Sequence, residues 1–201
     1  MSAFPAPPVL IFLAGPNGSG KSTFFDEYLA NLGLPYVNAD RIATAARTVD
    51  PSASRDVIDL RAFSVAEQLR AAFVEARMAF CTETVFSEPV GAKLKLLEAA
   101  RADGFTVFLI FIGLENSRLS VARVAQRVAL GGHDVPNAKL HSRFPRTLKN
   151  LRAALSLVDD AFVFDNSSYD EPYRLVAMYA RGHLVRRHPP LPAWTKRLPG
   201  L

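Results

Sequence analysis

One stretch narrows the folds open to this chain more than any other: Val9-Leu10-Ile11-Phe12-Leu13-Ala14, followed at once by Gly15-Pro16-Asn17-Gly18-Ser19-Gly20-Lys21-Ser22-Thr23. An unbroken run of apolar, largely branched residues reads as a strand buried on both faces, the mark of a parallel sheet. Phe24-Phe25-Asp26-Glu27-Tyr28-Leu29 then begins a helical pattern, so the glycines sit in a strand–loop–helix setting. Gly15, four residues, then Gly20-Lys21-Ser22 is the P-loop pattern in the context it requires. Each residue type has a reason. Glycines let successive N–H groups turn inward around a polyphosphate, and the helix N-terminus adds its positive end. Lys21 is a mobile point charge for the β- and γ-phosphates, the Ser22 hydroxyl a ligand for Mg²⁺, and Thr23 a donor to the α-phosphate. The chain is expected to bind a nucleotide through Gly15 to Thr23.

The remaining pattern alternates short apolar runs with helical stretches. Helices are expected at 22–32, from Ala39, at 56–77, 89–103, 116–130 and 137–157. Strands are expected at 36–38, 78–82, 105–112 and 161–164, with a terminal hairpin at 173–179 and 183–187 turning near Arg181-Gly182. This predicts an α/β fold: a mostly parallel sheet of the P-loop NTPase or kinase type flanked by helices, ending in a β-hairpin. The 201 residues suit a single domain, with a core over 8–167, a lid over about 118–150, and a hairpin and tail over 172–201. In the 56–77 helix the expected inward residues are Val57, Leu60, Val65, Leu69, Ala72 and Phe73. The proline-rich tail with Trp194 is expected on the surface.

Charge adds a restriction. Net charge is +5, but Arg181 to Leu201 carries five Lys or Arg and no acid, leaving 19 bases against 19 acids elsewhere. Such a balanced body with a basic tail argues against a nucleic-acid groove. The single cysteine, Cys81, excludes an internal disulfide and reads as a small core residue. No signal peptide and no membrane span are read, so a cytoplasmic location is expected.

In open parallel sheets the ligand lies beyond the carboxyl ends of the strands, which selects Asp40, Glu83 and Asp165. Asp40 is expected as the general base for an attacking hydroxyl, the alternatives being a helix N-cap or a holder of a magnesium-bound water. Glu83, with Thr84 and Ser87 beside it, is expected on the acceptor side, or in the place of the carboxylate that orders Mg²⁺. Arg127, Arg143 and Arg146 flank the Gly131-Gly132 break, as do Arg123 and His133. A hinged segment carrying arginines suits charge stabilisation on a transferring phosphoryl group. His133 is a further acceptor-side candidate, and as a lone histidine does not make a metal site. Asp165 and Asn166 either touch the nucleotide base or cap the strand-to-loop turn.

Six segments together carry a resemblance: GPNGSGKST at 15–23, VNAD at 37–40, TETVFS at 82–87, RVAQRVALGGHDVP at 123–136, SRFPRTLKNL at 142–151 and FDNS at 164–167. In this order they resemble the zeta-toxin-like kinases, most closely the small bacterial branch often labelled as predicted ABC-type ATPases. Characterised zeta toxins phosphorylate UDP-N-acetylglucosamine and are blocked by an antitoxin at the ATP site. The resemblance implies ATP and Mg²⁺ at Lys21 and Ser22, Asp40 as base, and Glu83 against the sugar. It also implies a hydroxyl acceptor of the UDP-sugar type and an antitoxin partner. Two other readings compete: an ABC-like ATPase that drives a machine, and a nucleotide-regulated interaction protein without turnover. Against the first, Phe164-Asp165 is followed by Asn166 where a hydrolytic glutamate belongs.

Overall fold

The computed structural model describes residues 6–89, 91–132 and 134–201. Among the described residues, seven strands form one sheet: β1 (Val9–Ala14), β2 (Tyr36–Val37), β3 (Phe80–Thr84), β4 (Thr106–Gly113), β5 (Asp160–Asp165), β6 (Arg174–Ala180) and β7 (His183–Arg187). Their order across the sheet is β2-β3-β1-β4-β5-β6-β7. The pairings from β2 to β5 are all parallel, while β6 and β7 run antiparallel as the closing hairpin. This is the architecture expected of a P-loop kinase, with β1 and its loop at the centre.

β1 shows why the apolar run had to be continuous. Leu10, Phe12 and Ala14 pack into one core with Phe80, Leu109 and Phe111, under helices that contribute Ala66, Leu97 and Leu151. Ile11 and Leu13 point the other way, against Phe24, Phe25, Ile110 and Ile112. Both faces are covered, so neither set could be polar.

Six α-helices surround the sheet among the described residues. α1 (Lys21–Phe24) continues as a π-helical turn over Phe25–Leu29 and a 3₁₀ turn over Ala30–Leu32, closed by Gly33. α2 (Ala39–Val49) is a full helix, not a single turn, and its cap is Asn38: Asn38 Oδ1 accepts from the amides of Asp40 at 2.8 Å and Arg41 at 3.1 Å. α3 (Arg55–Glu75), α4 (Ala92–Ala102), α5 (Ser117–Ala129) and α6 (Asn137–Ala154) complete the set.

Three expectations are corrected. First, α3 buries Ile58, Ala62, Ala66, Arg70 and Val74, a stripe at four-residue steps. Val57, Leu60, Val65 and Leu69, expected inside, are exposed, as is Phe63. The helix is apolar on several sides, so side-chain size decided: the small alanines let it approach α2 and the sheet, and the larger residues turn outward. Second, Glu83 lies inside β3 instead of after it, because the strand begins at Phe80 and leaves Met78 exposed. Third, Trp194 is buried. Its ring occupies the space that a Cβ on Gly113 would need, 2.2 Å from Trp194 Cζ2, and it packs tilted on Phe111 at 5.9 Å. The tail is therefore core, tied down further by Tyr179 Oη donating to the Pro199 carbonyl at 2.9 Å. Burial pushes the Tyr179 hydroxyl up to about 12. Cys81 is buried as expected, its thiol pushed up to about 12 by burial and by Glu83.

Candidate active site

The site forms at the carboxyl ends of β1, β3 and β5. Gly20 stands at the start of α1 with φ +90, a conformation open to glycine, and a Cβ there would meet Asn166 Nδ2 at 2.7 Å and Tyr173 Oη at 2.8 Å. These two side chains brace the loop from outside. Asn166 Nδ2 donates to the Ser19 carbonyl at 2.9 Å, and Tyr173 Oη to the Gly20 carbonyl at 2.9 Å. On the other side Ser120 of α5 donates to the Asn17 carbonyl at 2.6 Å. With the Asn17, Ser19 and Gly20 carbonyls bonded from outside, the loop is held in the shape that an anion cradle needs. Two of its own side-chain oxygens, Asn17 Oδ1 and Ser19 Oγ, are buried without a hydrogen-bond partner.

Lys21 is buried, donates to the Pro16 carbonyl at 3.0 Å, and lies 3.9 Å from Glu83 Oε1. Burial lowers its pKa below the usual lysine value, Glu83 and Asp40 oppose that shift, and Arg127 adds to it. The P-loop lysine thus lies beside the β3 acid and feels the charges of Asp40 and Arg127.

Glu83 is the most heavily engaged carboxylate in the site. Ser22 Oγ donates to it at 2.9 and 3.2 Å, Asn38 Nδ2 donates at 2.9 Å, and Tyr36 Oη donates to Glu83 Oε2. Tyr36 is itself fixed by stacking on Phe25, 3.5 Å between centroids at 7°, with the Arg41 guanidinium beside the pair, 4.9 Å from the Tyr36 centroid and 5.5 Å from that of Phe25. Burial first, and then the Glu83 charge, push the Tyr36 hydroxyl well above its ordinary range, so it stays a donor. Deeper still, Arg70 holds the strand end, bonding Thr82 Oγ1 at 2.7 Å and the Glu83 carbonyl at 3.2 Å.

A hydroxyl and a carboxylate 2.9 Å apart beside a phosphate cradle are hard oxygen donors suited to Mg²⁺. Among the described residues no cluster of three His, Cys, Asp or Glu could hold a metal alone.

Asp40 opens on a cleft of about 540 Å³ lined also by Thr44, Arg47, Arg55, Gly131 and Gly132. The glycine break therefore lines the same cleft as the base candidate. Arg143 is half-buried in the same region: burial lowers its pKa, Arg146 pushes the same way and Asp40 opposes. Arg146 is differently placed, its Nε donating to the Ser87 carbonyl at 2.8 Å and so pinning the loop after β3. Thr84 Oγ1 accepts from the Phe86 amide at 3.1 Å and shapes that same turn. His133 lies outside the described residues.

Asp165 and Asn166 both have local partners. Asp165 Oδ1 accepts from Trp194 Nε1 at 2.9 Å and from Ser167 Oγ at 2.7 Å, with Arg174 at 3.8 Å from its other oxygen. Asn166, besides bracing Ser19, accepts from the Tyr173 amide at 3.2 Å.

Comparison with known proteins decides the family. The Zeta toxin family matches residues 2–181. The chain belongs to the zeta-toxin family. An uncharacterized protein of Haemophilus influenzae is 29% identical over 130 residues, 61% of this chain and 83% of that protein. Among solved structures, the fold is similar to a chain of the PezAT chromosomal toxin–antitoxin system of Streptococcus pneumoniae. That match has a TM-score of 0.63 at 16% identity, over 87% of this chain and 72% of that one. It is also similar to a chain of the AvrRxo1-ORF1:-ORF2 complex solved with ATP. There the TM-score is 0.69 at 16% identity, over 88% of this chain and 60% of that one.

Within this family setting, motif reading alone missed Tyr36, Asn38 and Tyr173. Asn38 carried a signal, since an asparagine two residues before a carboxylate at a helix start is a cap. Tyr36 and Tyr173 carried none, because each acts through a contact across the fold.

Proposed function

We propose that this protein is a kinase that moves the γ-phosphoryl group of ATP to a hydroxyl of a small metabolite, of the nucleotide-sugar kind. The observation that supports this best is the position of Asp40. It lines the cleft, and its charge acts on both Lys21 and Arg143. A carboxylate there can take the proton of an acceptor hydroxyl as the hydroxyl attacks the γ-phosphorus. Lys21 holds the phosphates, and Arg127 and Arg143, from α5 and α6 on either side of the glycine break, face the charge that spreads over the equatorial oxygens. Ser22 and Glu83 would hold Mg²⁺, which supplies charge neutralisation between the β- and γ-phosphates.

The lid implied by this reading is smaller than 118–150. Its α5 end is tied to the phosphate loop through Ser120. Its α6 end is tied to the β3 loop: Thr147 Oγ1 donates to the Val85 carbonyl at 2.9 Å, and Asn150 Nδ2 to that of Phe86 at 3.0 Å. What remains to close is the turn between Arg127 and Arg143, held together by Val124, Val135 and Leu140. Closure by this turn would exclude water, so the enzyme should hydrolyse ATP slowly without its acceptor. The toxin–antitoxin membership of the PezAT chain supports an antitoxin as protein partner. The test is Asp40→Asn, expected to lower kcat by roughly two to four decades with ATP affinity unchanged. An equal loss of ATP binding would assign Asp40 to the metal instead.

A further inference from the structure

Asp40 follows the shortest strand of the sheet. β2 is an edge strand of two residues, and its parallel ladder pairs Tyr36 with Cys81 and Val37 with Thr82. Asn38 and α2 come next, so the direction in which Val37 leaves the sheet sets where Asp40 stands. A side chain reinforces that point. Thr82 Oγ1 donates to the Val37 carbonyl at 3.2 Å and accepts from Arg70 Nε at 2.7 Å. Arg70 Nη2 donates to the Glu83 carbonyl at 3.2 Å. One guanidinium of α3 thus holds β3 at Glu83 and, through one hydroxyl, β2 three residues before Asp40. Its third nitrogen, Nη1, donates to Glu67 at 2.5 Å, a carboxylate that also takes a bond from Lys93 Nζ of α4.

Packing alone does not ask for this arrangement. Thr82 is fully buried and Arg70 is 3% exposed, in the layer that holds Val37, Ala66 and Phe80. Taking a guanidinium out of water is costly, and an apolar side chain of similar volume would hold α3 on the sheet as well or better. What an apolar side chain lacks is direction. Arg70 spends all three nitrogens on fixed partners, and two of them act at the strand ends that carry the proposed base and the proposed Mg²⁺ acid. Resting on the phosphoryl transfer proposed above, we propose that Arg70 and Thr82 are positioning residues for it: together they set the spacing of Asp40 from Glu83, and touch neither ATP nor the acceptor.

The test follows label from γ-labelled ATP into phosphomonoesters of a bacterial metabolite extract, with ATP affinity measured by calorimetry and folding by denaturant unfolding. Arg70→Met keeps the bulk and removes the charge, and Glu67 retains Lys93, so the unfolding midpoint should stay close to wild type. Transfer should fall on the order of a hundredfold, the cost of misplacing a reacting group by about 1 Å, with ATP affinity within about twofold. Thr82→Val keeps the shape and loses the hydroxyl, and should behave alike; Thr82→Ser should restore most of the rate. A cycle with Asp40→Asn separates positioning from mere stability: in the Thr82→Val background Asp40→Asn should cost about tenfold less, or smaller still, than in the wild type. Losses that simply multiply would overturn the proposal. So would near-full transfer by Thr82→Val, or a rate loss matched by weaker ATP binding. If Arg70→Met unfolds, the Thr82 variants and the cycle decide alone. A wild-type protein that labels no phosphomonoester would bring down the kinase reading, and this role with it.

Discussion

Glu83→Gln separates two roles for the β3 acid. The resemblance places this carboxylate against the acceptor sugar; the geometry sets it 2.9 Å from Ser22, the hydroxyl proposed to hold Mg²⁺. The substitution keeps shape and removes charge. It also sets an amide N–H₂ among Ser22 Oγ, Asn38 Nδ2 and Tyr36 Oη, all of which donate to Glu83 in the native site. At least one charge-assisted contact to the ion is lost, worth about 1.5–3 kcal/mol, or roughly ten- to a hundredfold in the Mg²⁺ concentration for half-maximal rate. The assay is initial rate against Mg²⁺ at saturating ATP and acceptor, repeated against acceptor at saturating Mg²⁺. The expected result is a raised Mg²⁺ requirement, with rate partly recovered at high Mg²⁺ and the acceptor KM little changed. An unchanged Mg²⁺ requirement with a raised acceptor KM would refute the reasoning and return Glu83 to the sugar.

Other outcomes depend on the same contacts. Arg143→Ala should lower kcat by about a thousandfold with little change in ATP affinity, whereas Arg146→Ala, which loses a bond to the Ser87 carbonyl, should act mainly on stability. Lys21 has a folded-state pKa below its unfolded value, so between the two the unfolded chain binds more protons and stability without ligand rises with pH. Nucleotide binding needs the protonated ammonium, so ATP affinity should fall with pH through that lowered pKa, earlier than an ordinary lysine would allow; Lys21→Arg should flatten the profile. Trp194→Ala should cost about 3–5 kcal/mol in denaturant unfolding, because it empties a packed notch beside Gly113 and takes a donor from Asp165.

The legible parts of this protein were those written in adjacent residues. The β1 run and the glycine loop announce a buried parallel strand feeding a phosphate site, and Arg181-Gly182 announces the hairpin turn. That Asp40 would lie just after a strand, at the carboxyl edge of the sheet, was legible from the short apolar run before it. Illegible features depend on what the chain meets after folding. Nothing near Trp194 in sequence indicates Gly113, far earlier in the chain, whose missing side chain makes room for the ring. Periodicity failed on α3 because several of its faces are apolar, and only the small residues Ala62 and Ala66 show which side packs. The Glu83 network draws on β2, the α2 cap, α1 and β3, and no spacing rule joins them.

The central claim is that the γ-phosphoryl group leaves ATP for an organic hydroxyl. It is tested most directly by incubating the protein with γ-labelled ATP and a bacterial metabolite extract, then separating labelled phosphomonoesters from labelled inorganic phosphate. A kinase of this kind yields a single dominant labelled metabolite, absent with Lys21→Ala and strongly reduced with Asp40→Asn. Label found in inorganic phosphate alone, released as fast with the extract as without it, would contradict the claim and make the protein an ATPase.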